Sequence, residues 1–108
     1  MVFDLSIFNE ENFPRNLESV YNNQYGWFYE ELKRAIIVGE WGGKCNDKDW
    51  IVQDRLSTWL EENCMTDAFW WALNPGSADT EGLLNDEWNN YSHRKMTFVN
   101  KLQPKPTK

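Results

Sequence analysis

The sequence predicts an α/β fold built on a parallel sheet, and three observations carry that expectation. Ala35-Ile36-Ile37-Val38 and Ala68-Phe69-Trp70-Trp71-Ala72-Leu73 are continuous apolar runs, the pattern of strands covered on both faces. Each run stops abruptly, the first at Gly39 with Gly42-Gly43 beyond it, the second at Asn74-Pro75-Gly76. Stretches with helical spacing lie before, between and after them, and strands alternating with helices argue for parallel pairing through right-handed crossovers.

Taken in order, Phe3, Leu5 and Ile7 alternate with Asp4 and Ser6, a short strand pattern that Asn9 to Pro14 breaks as a loop. From Asn16 to Arg34 the spacing of Leu17, Val20, Tyr21, Phe28 and Leu32 predicts a helix interrupted near Gly26. The first buried strand follows. A second helix is expected from Asp47 to Glu62, capped by Asn46 or Asp47, striped by Val52, Leu56, Trp59 and Leu60, and stopped by Asn63. The second buried strand leads into a polar loop from Asn74 to Gly82. A last helix is expected from Ser92 with Met96, Val99 and Leu102 on one face, before a polar tail over 103–108 punctuated by Pro104 and Pro106.

The chain has 108 residues, 41% of them hydrophobic and 26% charged, which suits one globular domain. No apolar run approaches the ~20 residues that span a membrane. The acidic start, with Asp4, Glu10 and Glu11, does not read as a signal peptide. A net charge of −6 argues against a nucleic-acid partner, which wants a basic face. Seven Trp residues are the compositional signal. Their flat apolar faces suit either a core or the C–H faces of sugar rings. Cys45 and Cys64 flank the helix expected over 47–62. At about 1.5 Å per residue that helix holds them roughly 24 Å apart, too far for a disulfide. Neither Cys joins His93 in a zinc pattern.

Two residues could carry chemistry. Side chains alternate along a strand, so Ile36, Val38 and Glu40 are expected to share a face. An acid extending a buried apolar row is costly unless paired or solvated in a cleft. Glu40 either occupies such a cleft or simply opens an exposed loop. Trp71 shares a face with Phe69 and Leu73, as a sugar platform or as core. Asp79 and Glu81 suggest calcium, but an EF-hand register from Asp79 puts Leu83 and Leu84 where an oxygen ligand and Gly are required.

Val38-Gly39-Glu40-Trp41-Gly42-Gly43, together with the stretch from Phe69 through Asn74-Pro75-Gly76 to Leu84, resembles the end of a glycoside hydrolase family 5 cellulase. The first block resembles the seventh strand of that (β/α)8 barrel, whose glutamate is the nucleophile. The second resembles the eighth, whose tryptophan stacks under the sugar at the cleavage point. Asp86-Glu87-Trp88 resembles the acidic element after it, and Phe8-Asn9 with Asn12-Phe13-Pro14 resembles the lead-in to the sixth helix. The resemblance spans nearly the whole chain and implies an incomplete TIM barrel, its last two to three βα units, over residues 1–102.

What the resemblance implies for chemistry is a retaining hydrolase of β-1,4-glucan, outside the cell, with Glu40 as nucleophile, Trp71 as platform, Trp41 and Asn74 shaping the cleft, and no metal or organic cofactor. Ala78 and Glu81 stand where the family usually has Gly, which bears on loop shape. Asn9-Glu10 mimics the family's acid/base pair but sits in the loop after the sixth strand, so that role is not carried to Glu10. The family's acid/base glutamate, and its His and Tyr at the end of the sixth strand, have no counterpart here. A whole barrel needs about 250 residues. The expectation is therefore a fragment inactive alone, needing a complementary barrel segment or associating with itself. A sugar-binding module and an inert truncated product are the alternatives.

Overall fold

The computed structural model describes residues 5–103. Phe3 and Asp4 of the expected opening strand, and the tail from Pro104, lie outside them. The part of that strand within them is not a strand, since Leu5–Asn9 forms a 3₁₀ helix. Three alternating apolar residues specify no partner, and here the backbone closes on itself. Glu10 N–H donates to the Ile7 carbonyl at 3.3 Å, while Ile7 tucks into the core.

Helix α1 (Asn16–Tyr21) continues through one wide π turn (Asn22–Gly26) into α2 (Trp27–Leu32). The widening falls at Gly26, where the sequence anticipates an interruption, and Asn22 Oδ1 there accepts from Trp59 Nε1 at 3.1 Å. The run ends at Leu32, short of the expected Arg34, because Lys33 turns left-handed at φ 49°.

Strands β1 (Val38–Trp41) and β2 (Ala68–Trp70) pair in parallel through α3 (Asp47–Glu62), whose bounds match the sequence reading. The ladder begins at Val38, later than the apolar run, because pairing begins where β2 supplies Ala68. Asn46 adopts an extended conformation before α3 but contributes no side-chain cap. At the far end Asn63 stays at φ −94°, and it is Cys64, at φ 57°, that takes the left-handed turn assigned by sequence to Asn63.

The register is uneven. Val38 stands opposite Ala68 and Trp41 opposite Trp70, so Gly39 and Glu40 together face Phe69. This bulge corrects the simple alternation that groups Glu40 with Ile36 and Val38. One surplus residue changes which side chains share a face. Val38 and Trp41 both pack toward the helices, in a core with Leu17, Tyr21, Leu56, Trp59 and Phe98.

Beyond Trp70 the second run continues differently. Trp71 N–H donates to the Trp41 carbonyl at 2.8 Å, whereas Ala72 and Leu73 carbonyls accept from Leu83 and Leu84 as the loop returns. The loop leads to α4 (His93–Lys101), where Ser92 Oγ caps by accepting from Lys95 N–H at 3.3 Å. Of the expected stripe Leu102 is buried, while Met96 and Val99 are half-buried and Lys95 and Phe98 take the buried places on α4.

Among the described residues, helices cover one face of the sheet only. On the other, Ile37, Phe69 and Leu73 are 64%, 65% and 59% exposed. The molecule is accordingly a slab of 45 × 44 × 18 Å. Its radius of gyration, 14.6 Å, exceeds the ~13 Å of a compact chain this long. The continuous apolar runs thus have half of the cover their pattern calls for. Among the described residues no helix is long and apolar enough to cross a membrane.

Candidate active site

At the C-terminal ends of β1 and β2 a cavity of about 410 Å³ opens, and its walls include Glu40, Trp41, Asp49, Gln53, Trp71 and Thr80. Glu40 also borders a second cavity of about 230 Å³ beneath the free edge of β1, against Tyr25, Leu56 and Trp59. Its carboxylate therefore sits on the rim between two hollows. It is exposed to solvent, and no ion pair engages it among the described residues. A solvated acid at a strand end avoids the burial cost that an acid in the apolar row would carry.

The sequence-predicted residues do not all converge. Glu40 and Trp71 do, and Trp71 is half exposed, with its indole free to present a face. Trp41 borders the cavity but is 6% exposed, and its ring meets Trp70 edge to face. Asn74 is exposed and is not part of the cavity lining. Glu10 is engaged elsewhere, with its Oε2 accepting from Asn16 Nδ2 at 2.8 Å.

Sequence reasoning missed the residues that brace the cavity. Asp49 and Gln53, one helical turn apart on α3, reach back to the Gly42–Cys45 loop. Their spacing of four is a readable pairing signal, but its target lies off the helix. Lys95, also nearly buried, donates from α4 to the Thr80 and Gly82 carbonyls at 2.7 and 3.1 Å, fixing the loop that carries Thr80 to the cavity wall. Within that loop Glu81 adopts φ 55°, a left-handed conformation that suits glycine better. The resemblance expects Gly at this position.

Both cysteines are unpaired, as the length of α3 requires. Cys45 is buried beside Asp49, and burial first, the neighbouring carboxylate second, push its thiol pKa up to about 12.

No model of a known protein family matches the chain. Individual proteins do. It is 37% identical over 94% of its length to the major extracellular endoglucanase of Xanthomonas campestris pv. campestris, and 30% identical over 88% to an endoglucanase of Paenibacillus polymyxa. It spans only 21% and 24% of those relatives. The crystallised catalytic domain of the Xanthomonas enzyme superposes with a TM-score of 0.82 at 35% identity, over 90% of this chain and 28% of that one. An endocellulase of Pyrococcus horikoshii in complex with cellotetraose gives 0.83 at 32%, over 91% and 27%. Identity above 30% joined to a shared backbone over nine-tenths of the chain leaves one assignment: the chain belongs to the glycoside hydrolase family 5 endoglucanases and corresponds to a C-terminal portion of their catalytic domain.

Proposed function

We propose that this chain, over residues 1–102, supplies the nucleophile side of a retaining β-1,4-glucan hydrolase, as the closing sector of a (β/α)8 barrel that is incomplete without further strands. The observation that carries the reading is that Glu40 and Trp71, at the C-terminal ends of neighbouring parallel strands, line one cavity. Trp71 gives a flat apolar face for a pyranose ring. Trp41 supports the cavity wall from behind, and Asn74 has at most a distal role in the cleft.

In this reading a Glu40 carboxylate oxygen bonds to the anomeric carbon as the glycosidic C–O bond breaks, and the leaving oxygen takes a proton from a second carboxyl group. Water then cleaves the glycosyl–Glu40 ester with retention. The second carboxyl must lie about 5–5.5 Å from the first. Glu10, held by Asn16, is no candidate. By likeness to the family, whose acid/base glutamate has no counterpart in this sequence, the acid comes from outside residues 5–103, and a complementary barrel segment is the partner that would bring it. The Xanthomonas relative is named extracellular, and we place this protein there by likeness.

The test compares the polypeptide its gene encodes with Glu40→Gln, following reducing-sugar release from soluble β-1,4-glucan. The expected loss is at least a thousandfold, as for other catalytic sets acting as a unit. The isolated 108-residue chain should release no sugar. Undiminished hydrolysis by the Gln variant would overturn the reading. Cellotetraose quenching of Trp emission without hydrolysis in any form would favour a binding module instead, and absent quenching with molten behaviour would favour an inert truncated product.

A further inference from the structure

Gln53 is 5% exposed, and its amide has an unusual balance of partners. Nε2 donates to the Gly42 carbonyl at 3.0 Å and to Asp49 Oδ1 at 3.1 Å. Both neighbours only accept, so the orientation of the amide is fixed. Oε1 is then left buried without a donor. Such an acceptor carries a desolvation cost that an apolar side chain of the same shape would avoid. The other oxygen of Asp49, Oδ2, accepts from Cys45 N–H at 2.7 Å. Between these anchors sits Gly43, where any Cβ would collide with the Asp49 carboxylate. The segment from Gly42 to Cys45 is thus pinned at both ends to two adjacent turns of one long helix. Glu40 lies two residues before its first anchor, on a bulge that has no strand on its other side among the described residues.

We infer that Asp49 and Gln53 are positioning residues for Glu40, a clamp from α3 that sets where the bulged end of β1 holds its carboxylate. The inference rests on the nucleophile reading of Glu40. A free strand edge next to a bulge has little to hold its register, and an acid that must meet an anomeric carbon tolerates about 1 Å of misplacement at a cost near a hundredfold in rate. The carboxylate–amide pair supplies the constraint that a neighbouring strand would otherwise share, and the unpaired Oε1 is the expense of holding two acceptors with a single NH₂ group.

The experiment reads the nucleophile directly. An activated 2-deoxy-2-fluoro-β-cellobioside with a dinitrophenolate leaving group needs no protonation by an acid partner. Its fluorine destabilises the positively charged transition states, so the glycosyl ester accumulates. The polypeptide its gene encodes, the form tested above for hydrolysis, is incubated with this probe, and mass spectrometry follows the label on Glu40. For Gln53→Leu and Asp49→Ala the maximal labelling rate should fall 10- to 100-fold, with the half-saturating concentration within threefold of the parent. Asp49→Asn, which keeps an acceptor for Cys45 N–H, should recover part of the rate. Far-UV circular dichroism verifies folding, and Gln53→Met replaces Gln53→Leu if the latter unfolds. Unchanged labelling rates in folded variants overturn the clamp. A rate loss fully matched by weaker saturation assigns the pair to binding and also overturns it. No label on Glu40 in the parent chain sinks the nucleophile reading, and the clamp with it.

Discussion

The indoles of Trp41 and Trp70 meet edge to face, with centroids 4.7 Å apart and planes at 79°, across the register pair that follows the bulge. Trp70 stacks in turn on Phe98 of α4 at 6.5 Å, so the end of the sheet is tied to the last helix by aromatic contacts. Truncating Trp41 removes the first link. Trp41→Ala should lower unfolding free energy by about 3–5 kcal/mol, a large share of the total for a chain this size. Urea denaturation followed by circular dichroism measures it, and a midpoint equal to the parent would contradict this packing.

Trp71 lies one residue further on and is not part of those contacts. Its half-exposed ring contributes little to folding, so Trp71→Ala should leave the melting temperature within about 2 °C. Cellotetraose affinity should fall about tenfold, equivalent to ~1.4 kcal/mol. Isothermal calorimetry beside thermal melts separates the two effects, and a large stability loss would return Trp71 to the core.

Removing the ammonium of Lys95 strands two carbonyl oxygens. Lys95→Met keeps the stem but leaves Thr80 and Gly82 without their donor. The expected cost is about 2–3 kcal/mol, with faster proteolytic cleavage between Asn74 and Leu84. Cleavage at the parental rate would show that the loop holds itself.

Alkaline pH should unfold the chain. The Cys45 thiol rises from 9.0 to about 12, and burial raises Tyr21 further in the same direction. Above pH about 9 the unfolded state releases a proton that the folded state still binds. Stability is therefore undiminished below pH about 9 and falls progressively between about 9 and 12. Cys45→Ala should flatten the first part of that slope in denaturation series run from pH 8 to 11. Thiol reagents at pH 8 should meanwhile modify exposed Cys64 and spare Cys45 until unfolding.

The uncovered face of the sheet predicts association. Ile37, Phe69 and Leu73 make an apolar surface beside a free strand edge. Sedimentation at rising concentration should show self-association of the isolated chain, and Ile37→Lys with Phe69→Lys should suppress it. A monomer melting sharply at a concentration-independent temperature would refute this.

Much of this architecture is legible in the sequence because helix α3 and both strand runs carry strong local patterns. Asp47–Glu62 appears with its bounds intact, and Ser92 caps α4 where the sequence places a start. The failures share a cause, which is that local pattern does not encode partners. Phe3, Leu5 and Ile7 alternate like a strand, but among the described residues no strand lies beside this stretch, and Leu5–Asn9 coils into a 3₁₀ helix. The buried face of α4 turns toward Lys95 and Phe98 because a lysine can be buried where two carbonyls await it. At the candidate site, Glu40 and Trp71 stand out by residue type and strand position. Asp49 and Gln53 read as ordinary polar residues on a helix, since their worth depends on a loop that only the folded chain brings near.

The extra residue between Val38 and Trp41 decides what kind of strand β1 is. With regular spacing, the carboxylate would follow Val38 into hydrocarbon and the bulky indole would be stranded in water, an arrangement both unstable and chemically mute. Deleting Gly39 would leave Val38, Glu40 and Trp41 evenly spaced, with the valine and the indole still on one face and the acid on the other. The side on which the acid emerges is thus a matter of counting as much as of chemistry.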